Sequence, residues 1–230
     1  MFEDQRALSS LIQQVPVLRV RCSRFFVAWN GVLVLAMDGF PDSALELKQK
    51  IQETLGDRLS PENSGSKWPK ITMGCLKEDQ SLTLEEFILL SEICKQASRD
   101  VKEITVDIRT ISHVEFLCRS LERIRKRVDF DCNSQGIDDS CNPEPVNQVF
   151  SEADDVSAYF AQVSLPGSRE THYRSDHGES TLVSFIDVSS LTALLNAFKC
   201  KVDAELASKY VWFDDSSLHV TLRAMNLKEA

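Results

Sequence analysis

The order of hydrophobic and polar residues along the chain predicts alternating strands and helices, which places the fold in the α+β class. Strands are indicated where apolar residues run together or alternate with polar ones, over residues 17–37, 70–76, 104–108, 158–165, 181–186 and 218–225. Helices are indicated where apolar residues recur every three or four positions, over residues 42–55, 84–97, 112–128 and 191–206. Two of these helices begin with a capping-box pattern, Thr83 with Glu86 and Ser112 with Glu115.

One segment, residues 131–155, interrupts this pattern. It is rich in Asp, Asn, Ser and Pro, and its apolar residues follow no period. We interpret it as an acidic and polar connection between two lobes. The prediction is therefore a first lobe at residues 1–130 and a second lobe at residues 156–230.

A repeated unit supports two lobes. Residues 32–38, a helix and residues 68–72 have counterparts in residues 181–187, a helix and residues 217–221. A shift of 149 positions, the difference between 219 and 70, aligns the two units without a gap. The shift pairs Leu33 with Leu182, Val34 with Val183, Asp38 with Asp187, Ala44 with Ala193, Leu45 with Leu194, Lys50 with Lys199 and Thr72 with Thr221, and it pairs Lys70 with His219. We therefore predict two pseudo-symmetric lobes of mainly antiparallel sheet, with helices packed outside and a central cleft.

Charge and cysteine content narrow the classes of partner. The formal net charge of -9 argues against a long nucleic acid as partner, but it leaves room for a small anion in a locally positive pocket. The first ten residues lack the apolar run of a secretory signal, and no apolar stretch has membrane-spanning length. Seven scattered cysteines fit reduced thiols. We expect a cytoplasmic protein with no membrane partner.

The two strands that contain the paired Lys70 and His219 also contain groups suited to binding phosphate. Because alternate residues of a strand point the same way, we expect His219, Thr221 and Arg223 to share one face, and Lys70 and Thr72 to share another. If both faces line one cleft, they bring together an imidazole, an ammonium, a guanidinium and two hydroxyls. Cations neutralise a phosphate, and hydroxyls can donate to its oxygens.

The segments VLVLAMD…KITMGCL and TLVSFID…LHVTLRAM resemble the two-histidine (2H) phosphoesterase superfamily, which includes the RNA ligase/2′,3′-cyclic phosphodiesterase-like proteins. The resemblance extends over residues 30–110 and 155–226. It implies a bilobal fold with two His-x-Thr/Ser-x motifs facing one cleft. It also implies that one histidine is the general base and the other protonates the leaving oxygen, that hydroxyls hold the phosphate, and that no metal or other cofactor is needed. His219 and Thr221 match one motif, and Thr72 matches half of the other.

Lys70 departs from this pattern, because it replaces the first histidine. With an ordinary pKa of ~10.4, a lysine cannot act as a base near neutral pH unless it is strongly desolvated. It could instead stabilise negative charge in the transition state or donate a proton. The predicted site therefore has His219 and Lys70 as its catalytic pair, with Thr72, Thr221 and Arg223 as phosphate ligands.

The second unit also departs from the first in length, because few residues follow its His219 strand. We expect this lobe to borrow a strand from residues 17–27 or 158–165, or to continue beyond Ala230. The basic residues between Arg119 and Arg127 are predicted to lie on one solvated helix face, with an RNA backbone or a partner helix as the alternative.

Two classes of function stay open. The first is a metal-independent phosphodiesterase acting on a small cyclic phosphate or an RNA end. The second is a catalytically degenerate domain that keeps the cleft to bind a nucleotide, an RNA end or a protein partner. A protein partner could instead contact the helices.

Overall fold

One ten-stranded sheet organises an α+β fold, and it curls into a half-barrel. A computed structural model describes residues 2–56, 58–60, 62, 66–187, 189 and 191–226. The strands are β1 (Pro16–Val27), β2 (Leu33–Met37), β3 (Lys70–Leu76), β4 (Thr105–Ile108), β5 (Thr110–Phe116), β6 (Ile124–Asp131), β7 (Asn133–Asp138), β8 (Glu179–Phe185), β9 (Tyr210–Trp212) and β10 (His219–Ala224). The helices are α1 (Phe2–Ile12), α2 (Asp42–Leu55), α3 (Leu84–Ala97), α4 (Glu144–Ser151), α5 (Val156–Val163), α6 (Glu170–Arg174) and α7 (Thr192–Glu205).

The strands pair in the order β4-β1-β2-β3-β10-β8-β5-β6, with β7 also on β1 and β9 also on β3. All pairings along the main path are antiparallel, and the β1–β7 pairing is parallel. The two strands predicted to contain the motifs, β3 and β10, are therefore neighbours at the centre of the sheet.

The strand pairings of the first repeat recur in the second at the same shift of 149 positions. Lys70 pairs with Ala36 and His219 with Phe185, and each of the next two pairs along β3 also has its counterpart along β10. Both ladders then contain a register shift at the same place. On β3 the shift skips Met73, and on β10 it skips the equivalent Leu222.

Helices cover one face of the sheet, which we call the helical face. Phe25 on β1 stacks on Phe198 of α7, with ring centroids 4.2 Å apart. On β10, Arg223 donates a hydrogen bond to Gln52 of α2. On the opposite face, which we call the motif face, α4 and α5 cover the β1 side, where Phe26 contacts the rings of Phe150 and Tyr159.

Most of the elements predicted from hydrophobic spacing are confirmed. Strands β2, β3, β4, β8 and β10 and helices α2, α3 and α7 lie where the pattern placed them. The capping box at the start of α3 is present, because Thr83 accepts from the backbone N–H of Glu86 and Glu86 accepts from that of Thr83. Helices α1, α4 and α6 and strands β7 and β9 were not predicted.

The predicted helix over residues 112–128 is wrong. This segment forms the antiparallel strands β5 and β6. Val114, Leu121 and Val128 are seven residues apart, which matches two turns of a helix. Here Val114 lies in β5, Leu121 in the turn and Val128 in β6, so the spacing is coincidental. Ser112 is not a helix cap: its hydroxyl donates 2.6 Å across the strands to Asp129. The basic residues of this segment therefore do not share a helix face.

The second lobe was expected to borrow a strand from another part of the chain. Strands β5 and β6 take that place, because β5 pairs with β8 and β6 pairs with β5. The predicted boundary at residue 130 had grouped them with the first lobe. Neither strand proposed as the borrowed one takes this place. Residues 16–27 form β1, which pairs with β2, β4 and β7.

Residues 158–165, predicted as a strand, lie mostly in helix α5. Asp155 caps this helix by accepting from the backbone N–H of Ala158 at 3.0 Å. Tyr159 and Val163, four residues apart, are its buried positions. The predicted connection over residues 131–155 contains regular elements, the exposed strand β7 and helix α4. No helix within the described ranges is both long and apolar enough to cross a bilayer.

Candidate functional site

The central pair of strands brings four of the five predicted site residues together. Ile71 of β3 lies directly opposite Val220 of β10. One step in either direction, an antiparallel register sets Lys70 opposite Thr221, and Thr72 opposite His219. Paired residues point to the same side of a sheet and successive residues alternate, so these four side chains lie on the motif face.

Arg223 does not join them, and the prediction that it shares a face with Thr221 is wrong. Thr221 pairs with Val183, whereas Arg223 pairs with the adjacent Leu182. The bulge at Leu222 therefore turns Arg223 to the opposite side, onto the helical face. Its guanidinium is buried there against Gln52.

The His219 ring is half-buried and held in one orientation. Its Nδ1 lies 2.7 Å from the carbonyl oxygen of Ser217. A carbonyl can only accept, so Nδ1 carries the proton and Nε2 is left with its lone pair in the neutral ring. Burial lowers the pKa of His219, and the positive charge of Lys70 lowers it further, against the opposing effect of the Ser217 hydrogen bond. The ring is therefore mostly neutral at pH 7.

Burial also changes the chemistry of Lys70. It lowers the pKa of the ammonium from 10.5 to about 8, with a further lowering from the charge of Lys48. The Lys70 Nζ lies 4.1 Å from the centroid of the Trp68 ring, a cation–π distance. This lysine can exchange a proton near neutral pH, which an exposed lysine does poorly.

Neighbouring residues that the sequence did not single out shape this surface. The rings of Phe185 and His219 are 6.1 Å apart at their centroids, and the Arg127 guanidinium lies 4.2 Å from the Phe185 centroid. Trp68, two residues before Lys70, could have been noticed from its spacing. Arg127 could not, because its strand had been predicted as a helix.

Three surface cavities, of about 910, 880 and 600 Å³, are lined by residues other than Lys70, Thr72, His219 and Thr221. Of the predicted site residues, Arg223 alone lines one of these three, the 600 Å³ cavity between α2, the start of α4 and β10. The four motif residues thus lie on a half-buried surface outside these cavities. His172 and His177 instead contact Arg119, at 3.2 and 2.7 Å. Within the described residues, no group of three His, Cys, Asp or Glu side chains is placed to hold a metal ion.

Comparisons of the chain with protein families, with curated proteins and with solved structures find no match.

Proposed function

We propose that this protein is a 2H-like phosphoesterase that hydrolyses a small cyclic phosphate or an RNA-end phosphodiester without a metal. The proposal rests mainly on the placement of Lys70, Thr72, His219 and Thr221 on one face of two paired central strands. These four side chains offer a base, an acid and two hydroxyls within one small surface, as hydrolysis of a phosphodiester requires.

We further propose that the two halves of the sheet are pseudo-symmetric lobes. The strand order reads β4-β1-β2-β3 in one direction and β6-β5-β8-β10 in the other. A twofold axis through the Ile71–Val220 pair would exchange the halves, because these two residues are themselves equivalent in the repeat. The shared bulge at Met73 and Leu222 supports this arrangement. The motif face would then form the floor of the cleft between the lobes.

In this mechanism His219 is the general base. Its Nε2 takes a proton from water as the water oxygen attacks phosphorus. The ammonium of Lys70 donates a proton to the oxygen that leaves, and the hydroxyls of Thr72 and Thr221 donate to the non-bridging oxygens. With a pKa of about 8, Lys70 is still charged at pH 7 yet close enough in pKa to release its proton.

The alternative is a catalytically degenerate domain that binds a nucleotide, an RNA end or a protein partner on the same surface. The observation that favours it is the lysine itself, since an ammonium binds phosphate whether or not it transfers a proton. We place either activity in the cytoplasm, because all seven cysteines are free thiols.

The test is incubation of the full chain with 2′,3′-cyclic nucleotides in EDTA, with product followed by chromatography. We expect turnover that falls by about 10²- to 10⁴-fold in His219→Ala, the typical contribution of a general base. Turnover should also decline above pH 8, as Lys70 loses its proton. His172→Ala is the matched control, because His172 lies on α6 outside both motifs.

Equal loss in His172→Ala and His219→Ala would rule out the assigned role of His219. If there is no turnover, but nucleotide binding is measured by calorimetry and is lost in Lys70→Ala, the binding domain is supported instead. If neither motif variant changes turnover or binding, both proposals for this surface are wrong.

A further inference from the structure

A second group of cations lies around Arg223, where α2, the start of α4 and the end of β10 enclose the cavity of about 600 Å³. Its walls include Lys48, Gln52, Lys67, Asn142, Gln148 and Arg223. This volume falls within the range of small-molecule sites. The cavity is thus large enough for a small organic molecule and is lined by amides and cations.

Two of these cations are buried and share one carboxylate. Lys48 is 7% exposed and Arg223 is 2% exposed. The Lys48 ammonium lies 2.5 Å from one oxygen of Glu62, whereas the Arg223 guanidinium lies 3.9 Å from the other. A buried charge is costly unless it is paired and hydrogen-bonded, and Glu62 can neutralise only one of the two.

The hydrogen bonds of Arg223 are also incomplete. Its Nη2 donates 2.5 Å to the amide oxygen of Gln52. Its Nε is buried and has no hydrogen-bond partner among the described residues. Leaving a charged donor unsatisfied is more costly than leaving a neutral one, so an acceptor bound here would remove a penalty.

We propose that this cavity binds a small molecule through a phosphate monoester group, with Arg223 and Lys48 as its main ligands. The guanidinium offers a planar fork to the phosphate oxygens and the ammonium offers a point charge. Lys67 at the exposed rim adds a third cation, against Glu62 and Glu144 among the acidic residues that line the cavity. The surplus of positive charge favours an anion, and a phosphate offers three acceptor oxygens to these donors where a monocarboxylate offers two.

The ligands of this site lie outside the four motif residues, although the charge of Lys48 also reaches Lys70. Arg223 and Thr221 lie on opposite sides of β10, so a ligand here does not occupy the surface of His219. The anion-site proposal therefore does not depend on the phosphoesterase proposal.

The first experiment measures inorganic phosphate binding to the full chain by calorimetry. We expect binding that weakens by about 10- to 100-fold in Arg223→Lys, which keeps the charge but loses the fork, as expected for charge-assisted hydrogen bonds. Lys67→Glu should weaken it by a smaller factor, about 2- to 5-fold, because Lys67 is exposed. Lys102→Glu is the control, since it makes the same charge change at an exposed position outside this cavity.

A second measurement reports on the site itself. The Nε–H resonance of Arg223 should shift in a ¹⁵N-correlated spectrum when phosphate is added to the wild-type chain. If Arg223→Lys does not fold, the comparison of Lys67→Glu with the wild type still tests the proposal by calorimetry. The proposal fails if phosphate does not bind, if Lys67→Glu and Lys102→Glu bind it equally, or if acetate binds more tightly. It also fails if His219→Ala abolishes binding while the Arg223 Nε–H resonance never moves.

Discussion

The surroundings of Lys70 bring the pKa of this lysine closer to the range in which a histidine transfers protons. A lysine seldom transfers a proton near neutral pH, because its ordinary pKa is far above 7. Here burial and the charge of Lys48 bring the pKa of Lys70 to about 8. Burial also lowers the pKa of His219, so at pH 7 the lysine is mostly charged and the imidazole mostly neutral, as the proposed mechanism requires.

The lowered pKa of Lys70 also predicts a pH-dependent stability. The folded value of about 8 lies below the unfolded value of 10.5, so folding disfavours the charged form. This cost is complete below pH 8, decreases between pH 8 and 10.5, and is absent above. Lys70→Met should therefore raise the free energy of unfolding at pH 7 by up to about 3 kcal/mol, and the gain should disappear by about pH 10.5.

Urea unfolding of the wild type and Lys70→Met between pH 6 and pH 10.5 measures this difference. Lys70→Arg serves as the control, because its guanidinium stays charged across that range and should show no such recovery. A gain for Lys70→Met that is constant with pH would contradict a lowered pKa.

Two similar sequence signals led to different elements. Thr83 with Glu86 caps α3 through two reciprocal hydrogen bonds, whereas Ser112 with Glu115 lies in β5. The difference comes from partners distant in sequence. Ser112 donates to Asp129 on the neighbouring strand, and Val114 on the same strand packs in a small core with Phe116 and Val183. Tertiary pairing thus overrides the local propensity of the second segment.

The side-chain cap of α3 should contribute measurably to stability. Thr83→Ala should lower the free energy of unfolding by about 1 kcal/mol, because the N–H of Glu86 loses its side-chain acceptor. Thr83→Ser keeps a hydroxyl and should lose much less. Thermal unfolding of the three chains, followed by circular dichroism, tests this. Equal melting temperatures for Thr83→Ala and Thr83→Ser would show that the cap does not contribute.

The core joins the two halves of the molecule. Its main cluster contains buried residues of both repeats, among them Leu33 and Leu182. The stacked pair of Phe25 and Phe198 links a strand of the first half to the helix α7 of the second. Burial shared in this way favours unfolding as one unit.

Phe25→Ala tests this cooperativity. Loss of a fully buried ring should lower the free energy of unfolding by about 3–5 kcal/mol. Hydrogen exchange should report the same loss in peptides from β2 and from β8. Leu89→Ala, at a position 39% exposed, is the control and should cost less than about 1 kcal/mol. A loss confined to β2 would mean that the halves unfold separately.

The sequence by itself determined the α+β class, the helices α2, α3 and α7, more than half of the strands, and the pairing of Lys70 with His219 in a repeat. These features depend on local periodicity and on similarity at a fixed shift, both of which are present in the order of residues. The sequence could not determine residues 112–128 or 158–165, because short apolar spacings fit either a strand or a helix until long-range partners select one.

Only the tertiary structure decided what the two motifs face. It made β3 and β10 neighbours, which sets Lys70, Thr72, His219 and Thr221 side by side. It also turned Arg223 away, because a single bulged residue reverses the side to which every later side chain points. The physical reason is that strand order and bulges arise from hydrogen bonds between residues far apart in the chain, which no local pattern records.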